Sequence, residues 1–263
     1  MKAIVFLGGG RITSALVAGL RLSCYRASIV VHDRHPDKLR ALKRQHRIVA
    51  EPDLQRALRQ ADLLVIAVRP SGVAQLLRDI GQIDQPVVAI SLAAGIPLRN
   101  LQRQIRAPVQ WARAMPSPAC RTQRGLTAVT FPRGLPAAAR DEVRALFARV
   151  GDVREIPESR LDAFTVTYST SHGYHALATL AGAAERVGLD RKSALIAAAH
   201  GLADGILLWR DGNISVQELV HEAATPGGIA ATVMEAMDKA GYAGMVERAL
   251  RAGLARAKAN AKG

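Results

Sequence analysis

The first twenty residues constrain the fold of this chain more than any other stretch. Residues 3–7 (AIVFL) are continuously apolar, which is typical of a parallel strand that is covered on both faces. Three glycines follow, and the pattern that continues to residue 20 is that of a helix. We therefore predict a strand, a tight glycine turn and a helix.

The glycine turn carries the first two glycines of the dinucleotide-binding fingerprint G-x-G-x-x-G. Gly8 would make the tight turn, and Gly10 would let the backbone approach a pyrophosphate. The third glycine is replaced by Thr13, which predicts slightly looser packing of the helix. Taken alone this pattern is a weak signal. A second apolar run at residues 28–31 has the spacing of a βαβ unit and leads to Asp33, where the adenosine ribose would be read.

The two parts of the chain differ in their secondary-structure signals. Strand and helix signals alternate up to residue 157, which implies a doubly wound, parallel-rich sheet. Beyond that point no strand signal appears, and the pattern predicts helices at residues 162–187, 191–210, 215–223, 228–239 and 242–258. We predict a Rossmann-type α/β domain over residues 1–157, followed by an all-α domain over residues 158–263.

Charge and composition argue against several function classes. The formal net charge of +14 would attract polyanions. The arginines are scattered and interleaved with acidic residues, without a basic stripe or an aromatic platform, so we expect no nucleic-acid partner. No run has the length of a membrane span and residues 1–20 do not resemble a signal peptide, which predicts a cytoplasmic protein with no membrane partner. Because the histidines lack paired ligand spacing, we expect no metal site.

The predicted helix at residues 191–210 is apolar on nearly every face. Such helices are normally buried, and a helical domain of about one hundred residues has few ways to bury several of them alone. The sequence therefore predicts an obligate homodimer or a ring of dimers.

Several separated stretches resemble one family in order and spacing. In the first half they are Gly8-Gly9-Gly10, Val68-Arg69-Pro70, residues 91–96 (SLAAGI) and residues 113–117 (RAMPS). In the second half they are residues 158–165 (ESRLDAFT) and the turn Thr225-Pro226-Gly227-Gly228. Together these stretches resemble the pyrroline-5-carboxylate reductases over essentially the whole chain. The resemblance implies an NAD(P)H-dependent imine reductase with a Rossmann domain and a helical dimerisation domain.

The resemblance also implies which residues form the site. The nicotinamide would lie between Arg69 and the turn at residues 93–95, and the free N–H groups after Gly228 would hold a substrate carboxylate. The predicted cofactor-binding residues are Gly8, Gly10, Arg11, Ile12, Asp33, Arg34, Val68, Arg69, Pro70, Ala93, Ala94 and Gly95. The predicted substrate-side and catalytic residues are Tyr168, Ser169, Thr170, His172, Thr225, Gly227 and Gly228, with Tyr168 or His172 as the proton donor.

The cofactor prediction depends on the residues after the second strand. Asp33 is expected to accept from a ribose 2′-hydroxyl, which favours NAD, but Arg34 matches the family's phosphate-binding arginine and Arg11 is a second cation. We predict NADP, with NAD as the alternative.

The chain departs from the family at positions that face the substrate. Residues 168–174 match the family pattern Ser-Gly-Ser-Gly-Pro-Ala-Tyr only loosely, and Ala230 replaces a threonine that bonds to the substrate nitrogen. The main hypothesis is reduction of pyrroline-5-carboxylate to proline, or of a close cyclic imine or imino acid. One alternative is a hydroxyacid dehydrogenase or imine reductase with another substrate, for which Asp162 is the only acidic candidate. The other alternative is an NAD(P)-binding sensor without turnover.

Overall fold

The computed structural model describes residues 3–261. Its strands are β1 (Ile4–Leu7), β2 (Ile29–His32), β3 (Val49–Ala50), β4 (Leu63–Ile66), β5 (Val87–Ser91), β6 (Val109–Pro116), β7 (Gly125–Thr130) and β8 (Gly151–Glu155). The helices that accompany them are α1 (Arg11–Leu22), α2 (Pro36–Gln45), α3 (Leu54–Arg59), α4 (Pro70–Ile80), α5 (Leu98–Gln104) and α6 (Ala137–Ala148), with a short 3-10 helix at Pro118–Thr122. The remaining helices are α7 (Glu158–Thr167), α8 (Ser171–Arg186), α9 (Arg191–Asp211), α10 (Val216–Ala223), α11 (Ile229–Lys239) and α12 (Tyr242–Asn260).

The eight strands form one sheet in the order β3-β2-β1-β4-β5-β6-β7-β8. All neighbouring pairs are parallel except β6 and β7, which are antiparallel. The first six positions have the strand order of dinucleotide-binding folds, in which the direction of winding reverses between β1 and β4. In such sheets ligands bind outside the carboxyl ends of the strands at this reversal, so the β1–α1 turn lies where a cofactor site is expected.

The sheet is covered on both faces, as the apolar run of β1 predicts. Ile4 and Phe6 belong to a core cluster that includes α1, α2 and α6, whereas Val5 and Leu7 belong to a second cluster with α3, α4 and α5. All four side chains are at most 1% exposed. The predicted class, a Rossmann-type parallel-rich domain followed by an all-α part, is therefore confirmed.

The chain divides into two compact units. The first runs to Tyr168 and resumes at Ala252, so it contains the sheet, α7 and the carboxyl-terminal part of α12. The second is Ser169–Arg251. The domain boundary that we predict after residue 157 remains a prediction, because compact units and family domains are different divisions of a chain.

The second unit has almost no core of its own. Within Ser169–Arg251 only Ala181, Ala194 and Ala198 are buried, and all of its residues are described. In α9 the side chains of Leu195, Ile206 and Leu208 are 50%, 56% and 64% exposed, respectively. This unit therefore presents apolar helices that the single chain does not cover.

One helix prediction is wrong. The predicted helix at residues 162–187 is two helices, α7 and α8, separated at residues 168–170. In this break the hydroxyls of Ser169 and Ser171 lie 2.7 Å apart, and the Ser171 N–H donates to Ser169 Oγ. Serine and threonine hydroxyls that bond to nearby backbone groups compete with the backbone hydrogen bonds of a helix. This competition accounts for the break between α7 and α8.

No helix within residues 3–261 combines the length and the apolar character that a membrane crossing requires.

Candidate active site

The β1–α1 turn brings the first glycine of the fingerprint against the end of β4. Gly8 has a φ of +112°, and a Cβ added there would lie 2.7 Å from the carbonyl oxygen of Ala67. The Gly8 N–H donates to the carbonyl of His32 over 2.8 Å. A side chain at this position would be strained and crowded, so Gly8 makes the tight turn as predicted.

Gly10 has a different environment from Gly8. It is the N-cap residue of α1, with φ −80° and ψ −174°, and a Cβ added there would meet no atom within 4 Å. No side chain caps α1, and its first turn has no acidic residue. The first N–H groups of a helix have no intrahelical acceptor and carry partial positive charge. The turn thus combines open space with free donors, which fits a pyrophosphate.

Thr13, at the position of the third glycine of the fingerprint, contacts the glycine turn. Its side chain is fully buried, and its hydroxyl donates to the Gly8 carbonyl over 2.5 Å. The threonine therefore ties the first turn of α1 to the glycine turn. Arg11 and Ile12 lie in the same turn of the helix, exposed and half-buried, respectively.

The Asp33 carboxylate holds the glycine turn from the end of β2. One oxygen accepts from the Gly9 N–H at 2.8 Å, and the other accepts from the His35 N–H at 2.9 Å. Lys38 Nζ lies 3.5 Å from this carboxylate. Burial alone would raise the pKa of the Asp33 carboxyl, but these hydrogen bonds and the Lys38 charge outweigh burial and hold the pKa below its usual value.

The predicted cofactor residues after β4 and β5 lie at the same edge of the sheet. Val68 lies close to the glycine turn, because a Cβ added at Gly8 would be 3.2 Å from its side chain. Arg69 is exposed and is the N-cap residue of α4, which begins at Pro70. Ala93 and Ala94 follow β5, whose residue Ser91 pairs with Ile66 of β4. The structure thus brings together all the predicted cofactor residues at the carboxyl ends of β1, β2, β4 and β5.

Only glycine fits at position 95, in the turn after β5. Gly95 has a φ of +80°, and a Cβ added there would overlap the Ala257 carbonyl of α12. The backbone that approaches Gly95 is that of the carboxyl-terminal helix.

An ion cluster around the buried Arg113 joins β6 to α7, and its two carboxylates are partly exposed. Arg113 is 1% exposed and lies 3.2 Å from Glu158 and 3.1 Å from Asp162. Glu158 also accepts the N–H of Leu98 at 2.6 Å, at the start of α5. In the sequence, Arg113 and Glu158 stand out only as motif residues, and nothing there predicts their pairing. Asp162, the only acidic candidate for a hydroxyacid dehydrogenase, is engaged with Arg113.

Tyr168 ends α7 at the border of the first unit. Its hydroxyl oxygen accepts the N–H of Leu126 at 2.6 Å, near the start of β7. Because β7 is antiparallel to β6, its start lies beside the carboxyl end of β6. Burial raises the pKa of the Tyr168 phenol, which therefore keeps its proton at neutral pH.

The other predicted substrate residues belong to two helix starts in the second unit. Ser169, Thr170 and His172 lie around the start of α8, where Thr170 is the N-cap and the His172 N–H donates to the Ser169 carbonyl. At the start of α11 the Gly228 N–H donates to the Thr225 carbonyl over 2.8 Å, with Pro226 between them and Gly227 at φ +75°. This is the pattern of a type II turn, which requires a positive φ at its third residue. No side chain caps α11.

Among the described residues, no three His, Cys, Asp or Glu side chains come together so as to hold a metal ion.

Two family models match the chain. The one described as NADP oxidoreductase, coenzyme F420-dependent, matches residues 3–95, and the one described as pyrroline-5-carboxylate reductase dimerisation matches residues 158–260. The pyrroline-5-carboxylate reductase of Corynebacterium melassecola is 28% identical over 259 residues, covering 96% of both proteins. The enzyme of the same name from Mycobacterium tuberculosis is 28% identical over 285 residues, covering 98% of this chain and 96% of that protein.

The chain is similar to pyrroline-5-carboxylate reductases over nearly its whole length, and its carboxyl-terminal part matches their dimerisation family. The resemblance predicted from separated motifs is therefore confirmed. The fold agrees with solved structures of such reductases. The pyrroline carboxylate reductase of Plasmodium falciparum, determined with NADP bound, superposes with a TM-score of 0.88 at 20% identity, covering 99% of this chain and 98% of that one.

Proposed function

We propose that this protein is an NAD(P)H-dependent oxidoreductase that reduces a C=N bond in a cyclic imine or imino acid. The reaction that we propose is the conversion of pyrroline-5-carboxylate to proline, in the cytoplasm. The observation that carries the proposal is the β1–α1 turn, where Gly10 and the uncapped start of α1 leave room and donors for a pyrophosphate. It occurs in a chain that is similar to pyrroline-5-carboxylate reductases over nearly its whole length.

The chain's own residues would bind and orient the two reactants. A bound NAD(P)H supplies the hydride that the imine carbon accepts. The start of α1 would hold the pyrophosphate, and Arg69 with the turn at Ala93-Ala94-Gly95 would frame the nicotinamide. A protonated cyclic imine is already electrophilic, so positioning carries most of the catalytic effect. This chemistry requires no metal and no activated nucleophile.

The start of α11 is the proposed site for the substrate carboxylate. Its N–H groups after Gly228 are uncapped, and the Thr225 to Gly228 turn presents them at a helix amino terminus. Tyr168 is the proposed donor of the proton that the imine nitrogen carries. Its phenol is protonated at neutral pH, and its oxygen accepts a hydrogen bond from the Leu126 N–H. Ser169, Thr170, His172 and Thr225 remain candidates for substrate contacts.

We expect the protein to prefer NADPH over NADH because of Arg34. Both oxygens of Asp33 already accept hydrogen bonds from the chain itself, which leaves fewer acceptor positions for a ribose hydroxyl. Arg34 is exposed beside it and could pair with a 2′-phosphate. Arg34→Ala should weaken NADPH binding about tenfold and leave NADH binding unchanged, as loss of one charge-assisted contact predicts. Cofactor titrations monitored by fluorescence test this.

The control for this prediction is Arg40→Ala in α2, because Arg40 is an exposed arginine that pairs with Asp37. It should leave both affinities unchanged. Tighter binding of NADH than of NADPH, unaffected by Arg34→Ala, would contradict the proposed preference.

We expect the protein to be a poor catalyst with pyrroline-5-carboxylate itself, and Ala230 to be one cause. Ala230 is exposed in the first turn of α11, two residues after Gly228. A threonine hydroxyl there would orient the imine nitrogen, and such a bond contributes about 0.5–1.5 kcal/mol, or up to roughly tenfold in rate if it strengthens in the transition state. Ala230→Thr should therefore raise kcat/KM by up to about tenfold.

Ala231→Thr is the matched control, because it makes the same change one residue further along the helix and about 100° around its axis. It should leave the rate unchanged. An efficient wild type that Ala230→Thr does not improve would show that another group already orients the nitrogen.

We also propose that the working form is a homodimer or a ring of dimers. The second unit buries only three alanines, and Leu195, Ile206 and Leu208 are at least half exposed in the single chain. Burial of apolar surface contributes roughly 25 cal/mol per Å², so this surface favours association with a second copy. Sedimentation at micromolar concentration should give a mass of two chains or a multiple of it. A folded, active monomer would contradict the proposal.

Oxidation of NADPH with a panel of cyclic imines tests the proposed function. The absorbance of the reduced nicotinamide should fall when pyrroline-5-carboxylate or a close analogue is added. Cofactor binding without turnover on any member of the panel would favour a sensor instead. Turnover on hydroxyacids or keto acids only would favour a dehydrogenase with another substrate.

A further inference from the structure

The carboxyl-terminal turns of α12 pack against the turn that follows β5. Asn260 Nδ2 donates to the Ala94 carbonyl at 3.2 Å, and the Ala257 carbonyl lies directly over Gly95. This part of α12 belongs to the same compact unit as the sheet. The contact joins residues that are 166 positions apart in the sequence.

The same helix end is held from two other directions. Asn100 Nδ2 in α5 donates to the Ala261 carbonyl at 3.0 Å, and a Cβ added at Gly253 would lie 3.1 Å from the Val166 side chain of α7. The last four carbonyls of a helix have no intrahelical donor, so an amide donor stabilises this end. Asn100 supplies such a donor. The Asn260 side chain instead donates to the Ala94 carbonyl, outside the helix.

We infer that Asn260 is a positioning residue for the nicotinamide half of the cofactor. Ala93, Ala94 and Gly95 form the turn that would frame the nicotinamide, so the inference rests on the proposed function. Ala94 and Gly95 have a loop backbone at the edge of the sheet, and loop backbone is held only by what packs on it. Asn260 fixes the Ala94 carbonyl, and Ala257 prevents Gly95 from moving towards α12.

The adenosine half of the cofactor should not depend on this contact. The glycine turn and Asp33 lie after β1 and β2, and their hydrogen bonds do not involve α12. Binding of a cofactor fragment that lacks the nicotinamide therefore distinguishes the proposed role of Asn260 from a general effect on the fold.

The test compares Asn260→Ala and Asn260→Asp with Asn100→Ala in the full chain. Loss of the Ala94 contact should weaken NADPH binding roughly three- to tenfold and lower kcat, because one hydrogen bond to the turn is removed. Binding of 2′-phospho-ADP-ribose, which lacks the nicotinamide, should stay within about twofold of the wild type. Asn260→Asp keeps the shape but replaces the donor with an acceptor that faces the Ala94 carbonyl, so it should weaken NADPH binding at least as much as Asn260→Ala.

Asn100→Ala is the matched control. It removes an amide-to-carbonyl bond from the same helix end without touching the turn, and it should leave NADPH binding within about twofold. Equal losses of NADPH and of 2′-phospho-ADP-ribose in the Asn260 variants would overturn the inference, as would unchanged NADPH binding. A wild type that binds neither ligand would instead refute the proposed function, and the role of Asn260 with it.

Discussion

A Gly10→Asp variant should fold like the wild type and bind NADPH at least about 100-fold more weakly. Gly10 has an extended backbone, and a Cβ there meets no atom within 4 Å, so the fold accepts a side chain. Aspartate is a preferred N-cap residue and replaces glycine with a gain of a few tenths of a kcal/mol. Stability should therefore be unchanged or slightly raised.

The loss of cofactor binding follows from charge. The aspartate carboxylate would stand at the start of α1, where the pyrophosphate is expected, and it would also accept the N–H groups that the pyrophosphate needs. Two like charges about 4 Å apart repel by about 4 kcal/mol at an effective dielectric constant of 20, which exceeds the 2.7 kcal/mol of a 100-fold change. Isothermal titration and thermal unfolding of the same preparation measure both effects.

Gly10→Ser is the matched control, because serine also caps a helix but carries no charge. It should lose about tenfold or less in NADPH affinity, since only volume and donor competition remain. A Gly10→Asp variant that binds NADPH within threefold of the wild type would place the pyrophosphate elsewhere.

The double variant Glu158→Gln/Asp162→Asn should lower the free energy of unfolding by about 3 kcal/mol, the lower end of what an uncompensated buried charge costs. Arg113 is 1% exposed and has these two carboxylates as its ion-pair partners. The amide replacements keep the shape and can still accept hydrogen bonds, so the main change is that the Arg113 charge loses both countercharges. Urea unfolding at a fixed protein concentration measures the loss.

Arg113→Met added to the double variant should restore most of this stability. The triple variant has an apolar side chain in place of Arg113 and neutral amides in place of both carboxylates. No unpaired buried charge remains, so the triple variant should be more stable than the double. The double variant unfolding like the wild type would show that Arg113 does not depend on the two carboxylates. A triple variant no more stable than the double would show that charge is not the cause of the loss.

The sheet and the glycine turn could be predicted from the sequence because their signals are local. The apolar run at β1 and the glycines after it are contiguous, and the spacing to β2 fixes a βαβ unit. Several helix starts could be predicted for the same reason, since the residues at a helix boundary are neighbours in the sequence. Ser215, for example, caps α10 with a capping box that includes Glu218.

The contacts that hold the site could not be predicted because they join distant residues. Glu158 reaches Leu98 across 60 positions and Asn260 reaches Ala94 across 166, and neither pairing leaves a periodic or spacing signal. Two contacts of Asp33 could not be predicted either. Its carboxylate, which we predict to contact the ribose, also accepts from the N–H groups of Gly9 and His35.

The break between α7 and α8 shows how tertiary context overrides helical propensity. Residues 162–187 have no proline, and the apolar pattern continues through them, so the sequence predicts one helix. Tyr168 instead reaches Leu126 on β7, and the hydroxyls that follow bond to each other. The residues that end the helix are among those that we predict to contact the substrate.

Transfer of deuterium from NADPH to the product tests the central claim most directly. The protein is incubated with pyrroline-5-carboxylate and NADPH that carries deuterium at the transferable position of its nicotinamide, and the product is analysed by mass spectrometry. We expect proline that is heavier by one mass unit, with the deuterium on the ring carbon that was double-bonded to nitrogen in the substrate, and far less of this product from the Gly10→Asp variant at a subsaturating NADPH concentration. Proline without deuterium, or no reduced product with any cyclic imine although NADPH binds, would contradict this claim.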